Sequence, residues 1–234
     1  MLRERSQDIS YIAVEGPIGV GKTTLARKLA ERLNLKFLSE DIKNPYLSSF
    51  YAGREEAILR AQMFFLLSRT RAQSQIRAQL EAGKKVVTDF TFPKDLLFAQ
   101  INLSRDDLNL YRMYYNFFLP LAAVPDLILY LQAPERTLKQ RIRRRDAESE
   151  AMADEEDPEI RRLHRSETSI PSAYLTRVSE AYEKFFIELR GANVLIVNTE
   201  ELNVVDRRKD FEDLLDRILK IKPGVQFYGP RSRH

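Results

Sequence analysis

The run Gly16-Pro17-Ile18-Gly19-Val20-Gly21-Lys22-Thr23-Thr24 constrains this chain more than any other feature of its sequence. Gly16, Gly21, Lys22 and Thr23 satisfy the pattern G-x-x-x-x-G-K-[S/T]. The segment before it, Tyr11–Glu15, reads as a buried strand, and Lys22–Leu33 after it carries helical periodicity. A strand running into the loop and a helix running out is the context the pattern requires, and it argues against a chance glycine-rich turn. Glycines let backbone N–H groups converge on phosphate oxygens, and the helix N-terminus adds its partial positive charge. Lys22 can reach the β and γ phosphates, and the Thr23 hydroxyl can ligate Mg²⁺. The candidate nucleotide contacts are therefore Gly16, Gly19, Val20, Gly21, Lys22, Thr23 and Thr24.

A phosphate loop needs a sheet behind it. Short apolar runs predict five strands, at Tyr11–Glu15, Lys36–Ser39, Lys85–Asp89, Asp126–Leu131 and Asn193–Asn198. Several are continuously apolar, as strands buried on both faces are. Helical patterns fall between and after them, at Lys22–Leu33, Glu55–Glu81, Ser104–Leu119, Thr137–Arg145, Ser172–Arg190 and Asp210–Ile221. This alternation predicts an α/β protein with a parallel sheet. The expectation is a P-loop kinase fold, with five parallel strands flanked by helices and a helical lid. A length of 234 residues suits a single domain, 1–234, with the lid and an insertion around 141–170. The segment Asp146–Glu159 carries eight acids and little apolar bulk, so it reads as an exposed, mobile insertion.

Composition removes several chemistries. No cysteine is present, which excludes disulfides, thiolate metal sites and a cysteine nucleophile. A net charge of +4 suits a polyphosphate ligand but gives no case for nucleic acid. The polar start Met1–Ser10 leaves no space for a signal peptide before the first strand, and no apolar run approaches the ~20 residues of a membrane span. A soluble cytoplasmic protein is expected, with neither membrane nor nucleic acid as partner.

Two classes of P-loop protein compete, small-molecule kinases and triphosphate-hydrolysing switches. A GTPase switch needs D-x-x-G and N-K-x-D elements. No glycine here has an aspartate three residues before it, and no Asn-Lys pair occurs. What the chain has instead is an arginine cluster after the fourth strand, Arg141, Arg143, Arg144 and Arg145, of the kind that clamps a transferring phosphoryl group. Glu40 follows the second strand, at the carboxyl end where open parallel sheets bind ligands, and can accept a hydroxyl proton there. Asp41 is its rival for that role.

From Glu40 onward the sequence resembles the deoxyribonucleoside kinase family, in particular its bacterial deoxyadenosine and deoxyguanosine members. The residues that carry the resemblance are Glu40, Asn44-Pro45, Leu47, Phe50-Tyr51, Gln62 with Arg69 on the long helix, Asp89, Asp95, the arginine helix, and Glu167-x-x-Ile170-Pro171-x-x-Tyr174-Leu175. It spans about Tyr11 to Ile218. The resemblance implies ATP and Mg²⁺ as cofactors, with Thr23 and Asp89 on the metal. It implies Glu40 as the base, with Lys22, Arg141 and Arg145 on the phosphoryl oxygens. Gln62, Arg69 and Asp95 would read the base, Glu167 would hold the sugar 3′-hydroxyl, and Tyr51 would touch the sugar or pack in the core. Family members are commonly homodimers, and Tyr111–Leu121 is apolar enough to serve either as that interface or as core.

The sequence also departs from the family. An arginine normally follows the carboxylate after the third strand. Here the residues are Asp89-Phe90-Thr91, leaving Arg141, Arg145 and Lys94 as substitutes. The lid motif normally holds a second arginine, for which Arg161, Arg162 and Arg165 are candidates. The implied activity is 5′-phosphorylation of a purine deoxyribonucleoside. The alternatives are a nucleoside monophosphate kinase of the thymidylate type and a nucleotide-gated module without catalysis. Glu40 favours an acceptor with a proton to give up, which a hydroxyl has and a phosphate does not.

Overall fold

The computed structural model describes residues 9–152, 156–204 and 206–229. Six strands form one sheet: β1 (Tyr11–Glu15), β2 (Lys36–Leu38), β3 (Val86–Thr88), β4 (Leu127–Gln132), β5 (Val194–Asn198) and β6 (Val225–Tyr228). Their order is β2-β3-β1-β4-β5-β6, and all the pairings are parallel. β6 is the strand that hydrophobic patterning does not predict. It is short, holds a polar Gln226, and runs along the sheet edge with its side chains partly exposed.

Helices cover both faces. They are α1 (Lys22–Leu33), α2 (Leu47–Tyr51), α3 (Glu55–Glu81), α4 (Lys94–Asn102), α5 (Arg105–Phe118), α6 (Glu135–Ala151), α7 (Pro158–Glu167), α8 (Ser172–Glu188) and α9 (Arg208–Leu219). Every residue of β1 is buried. Ile12 and Val14 face Leu25 and Leu29 of α1 and Leu214 and Leu215 of α9. Tyr11 and Ala13 face the other way, towards Ile76 of α3 and Phe90. This alternation is why the strand must be apolar throughout, and each large side chain buried there contributes roughly 1.5–3 kcal/mol. Ser104 caps α5 by accepting from Asp107 N at 3.2 Å, as its spacing predicts.

The acidic segment differs from expectation. α6 continues through Asp146, Glu148 and Glu150, with Ser149 buried, and α7 begins at Pro158. Asp157 caps α7, accepting from Glu159 N at 2.8 Å. Many of the acids are answered by basic partners: Glu148 pairs with Arg144 at 3.4 Å, Glu150 with Arg165, and Asp157 with Lys43 at 2.5 Å. An acidic run surrounded by partners of opposite sign need not be a solvated loop. Residues 153–155 of that expected insertion lie outside the described residues. No helix among the described residues is long and apolar enough to cross a membrane.

Parallel pairing puts the carboxyl ends of β1, β2 and β3 along one edge. The chain leaves β1 towards β3 and β2 on one side and later returns to β4 on the other. The crevice at that reversal is where such sheets bind ligands. Gly16, Glu40 and Asp89 all follow strands that end there.

Candidate active site

A cleft of about 670 Å³ opens at this edge. Its donor side is lined by Gly19 to Thr24, Arg141, Arg144, Thr199 and Asn203. Its acceptor side is lined by Glu40, Tyr51, Gln62, Phe65, Arg69, Lys94 and Glu167. Asp89 also lines it.

Two glycines show how tightly the loop is set. Gly16 has φ 146°, and a Cβ there would lie 2.5 Å from the Leu131 carbonyl oxygen of β4. Gly19 has φ 83°, and its Cβ would meet Ile142 at 2.7 Å and the Leu138 carbonyl at 2.9 Å, both on α6. Both the backbone angle and the close approach exclude a side chain. Gly16 is buried beneath the loop rather than lining the cleft, because it is the pivot against β4. Lys22 donates to the carbonyls of Gly16 at 2.9 Å and Pro17 at 3.1 Å. Burial, and then repulsion from Lys94, bring its ammonium down to about 8 against the pull of Glu15, Glu40 and Asp89.

Thr23 and Asp89 meet as expected. The Thr23 hydroxyl donates to Asp89 Oδ2 at 2.6 Å, and the Glu40 backbone N–H donates to Asp89 Oδ1 at 2.7 Å. Asp89 thus ties the end of β3 to the P-loop helix and to the turn after β2.

The acceptor side is a chain of buried charges. Glu40 Oε1 accepts from Arg69, and Oε2 accepts from Lys94 Nζ at 2.8 Å. Arg69 reaches Asp95 with its other arm. Burial would raise the Glu40 carboxyl, but Arg69, Lys94 and Lys22 together outweigh it and hold it at about 2. Asp95 is driven up to about 6, because burial and the Glu40 charge exceed the help from Arg69 and Lys94. Gln62 stands two helical turns before Arg69 on α3, about 10 Å along the axis, and both are buried against the cleft.

Several expectations need correction. Asp95 is fully buried behind Arg69 and does not line the cleft, so it acts on a ligand through the guanidinium in this arrangement. Asp41 is exposed and accepts from Lys43 N at 3.1 Å, so of the two rivals only Glu40 lines the cleft. Arg141 donates to the Val20 carbonyl at 3.1 Å and to Thr199 at 2.9 and 2.7 Å. It ties the P-loop to the segment after β5 instead of presenting an open fork to phosphoryl oxygens. Arg145 lines the cleft but pairs with Glu167, so the carboxylate expected on the sugar is engaged by the lid arginine. Arg161, Arg162 and Arg165 do not line the cleft. Tyr51 both lines the cleft and packs against Ile142, Ile170 and Leu175.

Glu15 was missed. It is fully buried at the end of β1, and its carboxylate accepts from Thr91 N at 2.6 Å, Thr91 Oγ1 at 3.0 Å, Tyr182 Oη at 3.0 Å and Gly16 N at 3.2 Å. An acid ending a strand that is otherwise wholly apolar was the available signal, since a buried carboxylate needs donors.

A parallel sheet in this order, a phosphate loop at its reversal and a Thr–Asp pair beside the loop lysine define a P-loop kinase. The chain belongs to the deoxynucleoside kinase family, whose model matches residues 12–157. It is similar to the deoxyguanosine kinase of Bacillus subtilis (strain 168), 29% identical over 217 residues that cover 90% of this chain and 97% of that one. A deoxyadenosine/deoxycytidine kinase of the same organism is 27% identical, over 91% of this chain and 93% of its own. The deoxyadenosine kinase of Dictyostelium discoideum is 34% identical over 64% of this chain and 63% of its own. Among solved structures, deoxyadenosine kinase from M. mycoides with products dCMP and a flexible dCDP bound superposes with a TM-score of 0.73. It is 21% identical and covers 90% of this chain and 100% of its own, which confirms the fold. The activity is that of a deoxynucleoside kinase, and the thymidylate-kinase and non-catalytic readings give way to it.

Proposed function

We propose that this kinase transfers the γ-phosphate of ATP to the 5′-hydroxyl of a purine deoxyribonucleoside. One observation carries the reading. A single cleft places the phosphate loop at one end, Gln62 and Arg69 at the other, and the Glu40 carboxylate among them. Glu40, ionised by its two cationic neighbours, accepts the 5′-hydroxyl proton as the oxygen attacks. The loop N–H groups and Lys22 hold the phosphates, and Arg145, paired with Glu167, braces the lid beside them. Catalysis is then positioning and charge neutralisation. Glu167 takes the sugar 3′-hydroxyl, and Tyr51 forms the wall of the pocket.

A hydroxyl and a carboxylate 2.6 Å apart at the loop suit a hard cation that keeps waters and phosphates as its other ligands. No group of three or more acids or histidines among the described residues offers an all-protein cage. Thr23 and Asp89 would hold Mg²⁺, which would supply charge neutralisation between the phosphates. Purine preference is supported by Gln62, whose amide both donates and accepts, beside the donor-only guanidinium of Arg69.

The chain is further read as a single kinase unit with α6 and α7 as its lid, residing in the cytoplasm without membrane or nucleic-acid partners. A homodimer through α5 is part of the reading. Tyr111 and Tyr115 of that helix are core, but Met113, Phe117 and Val124 beyond it are 71%, 75% and 77% exposed. Met113 and Phe117, four residues apart on one helical face, support an interaction surface there.

A radiolabelled transfer panel of deoxynucleosides and their monophosphates tests the function. Deoxyadenosine or deoxyguanosine should exceed thymidine by at least about tenfold in kcat/KM, the equivalent of ~1.4 kcal/mol. Thymidine as best acceptor would overturn the purine assignment, and transfer to a monophosphate alone would overturn the hydroxyl-acceptor chemistry.

A further inference from the structure

The segment after β3 brings no cation of its own to the cleft before Lys94. Asp89 spends both oxygens on Thr23 and the Glu40 backbone. Phe90 is fully buried with Tyr11, Ala13, Ile76 and Val86, so its position cannot present a charged group to the cleft. Thr91 is committed to Glu15 through both its N–H and its hydroxyl. Of the other cations considered, Arg141 is tied to Val20 and Thr199, and Arg145 to Glu167. Lys94 is the first residue of α4, lines the cleft and is 7% exposed.

Burial and helix position weigh against a lysine there, offset in part by Glu40 and by the Phe98 ring 5.9 Å from the ammonium. A helix N-terminus repels a cation, a buried ammonium loses its hydration, and the Lys22 ammonium feels its charge. Its bond to Glu40 offsets part of that cost. Glu40, however, already has Arg69 on its other oxygen, and Arg69 in turn has Asp95. Of the two cations on Glu40, Lys94 lacks a second carboxylate partner and stands closest in charge to the phosphate loop.

Building on the kinase reading, we propose that Lys94 is a catalytic residue that orients Glu40 while the hydroxyl enters, then passes to the oxygens of the transferring phosphoryl group. The bond changes balance without it. The 5′ oxygen forms a bond to Pγ, the bond from Pγ to the β–γ bridging oxygen breaks with its electron pair leaving on ADP, and the hydroxyl proton goes to Glu40. Lys94 neither gains nor loses a proton. When it moves to the phosphoryl oxygens it neutralises developing charge and at the same moment frees Glu40 Oε2 to receive the proton. The sequence departure at Phe90 and the placement of Lys94 are then one substitution of function, moved from the strand end to the first turn of the next helix.

The absence of cysteine from the chain makes the test selective. Lys94→Cys should lower kcat by at least ~10²-fold while the deoxynucleoside KM changes less than about threefold, the signature of an interaction made in the transition state. Alkylation with 2-bromoethylamine rebuilds a lysine-like ammonium at that single thiol and should recover about tenfold or more of the loss. Iodoacetamide, which adds a neutral group, should recover none. Lys94→Met, which keeps an apolar stem, is run beside it and should show the same kcat loss with an unchanged melting temperature. The proposal is overturned by variant rates within about threefold of wild type, by equal recovery with the neutral reagent, or by no recovery with the amine in folded protein. Wild-type transfer to a deoxynucleoside in the same assay controls the reading beneath it. Its absence sinks both, whereas its presence beside an undiminished Lys94→Cys rate sinks this inference alone.

Discussion

The two ends of the cleft are built on different principles. The donor end is made of consecutive residues, Gly16 to Thr24, and its main instruments are backbone N–H groups and a helix terminus. The acceptor end is made of side chains from distant elements: Glu40 after β2, Gln62 and Arg69 on α3, Lys94 and Asp95 on α4. Its positions are held by charge pairing in a buried setting. A backbone site tolerates no side chain at Gly16 or Gly19 but has no strong preference for what surrounds it. A side-chain site can be retuned one residue at a time, and each change disturbs the charge on its neighbours.

The largest effect should come from the acceptor end. Glu40→Gln keeps size and hydrogen bonding but removes the proton acceptor, and should cost ~10²–10⁴-fold in turnover with ATP affinity nearly unchanged. Asp41→Asn should be close to silent in the same steady-state assay. The reverse pattern would show that the acceptor end is built around the wrong carboxylate. Next, Lys22→Ala should lower turnover at least ~10²-fold, the scale of one lost preorganised donor. Retention of more than about a third of the wild-type rate would remove the donor end from the mechanism. A smaller change separates recognition from chemistry. Asp95→Ala should erase most of the roughly tenfold purine preference in kcat/KM while ATP binding holds, because Arg69 loses the partner that aligns it. Lost ATP binding would mean that the two ends are not separable.

The smallest expected effect is in pH. Lys22 has its proton below about 8 and loses it above, since its folded value lies under the ordinary lysine value of 10.5. ATP affinity should therefore weaken as pH rises through about 8 in calorimetric titrations. Lys22→Arg stays charged and should flatten that limb. Deoxynucleoside affinity has no reason to follow the same curve, and a shared alkaline limb would contradict the comparison.

The same contrast explains what was legible in the sequence. The phosphate loop is local, so spacing alone locates it, and β1, β4 and β5 announce themselves as apolar runs. Lys94 could be named only as one of three replacements, because nothing in the sequence says that α4 begins there. Pro93 precedes it and the helix is nine residues long. α7 was hidden by the acidic residues leading into it, whose partners Lys43, Arg144 and Arg165 are brought close only by the fold. The partners of Arg141 are hidden for a related reason. An arginine near a phosphate loop suggests a clamp, yet the carbonyls that claim it, at Val20 and Thr199, are invisible until β5 is set beside β4. Asp95 was found, but not its depth behind Arg69.

Glu15 bears on how such a molecule can diversify. Its carboxylate fastens Gly16, Thr91 and Tyr182, which belong to the phosphate loop, the turn into α4 and α8. The spacing between the two ends of the cleft thus rests in part on a joint deep in the sheet, beneath the residues that face the ligand. Substitutions on the acceptor wall that spare this joint should leave the alignment of the two ends in place. A library that randomises the acceptor wall but leaves Glu15, Thr91 and Tyr182 alone starts from a frame that already holds its alignment.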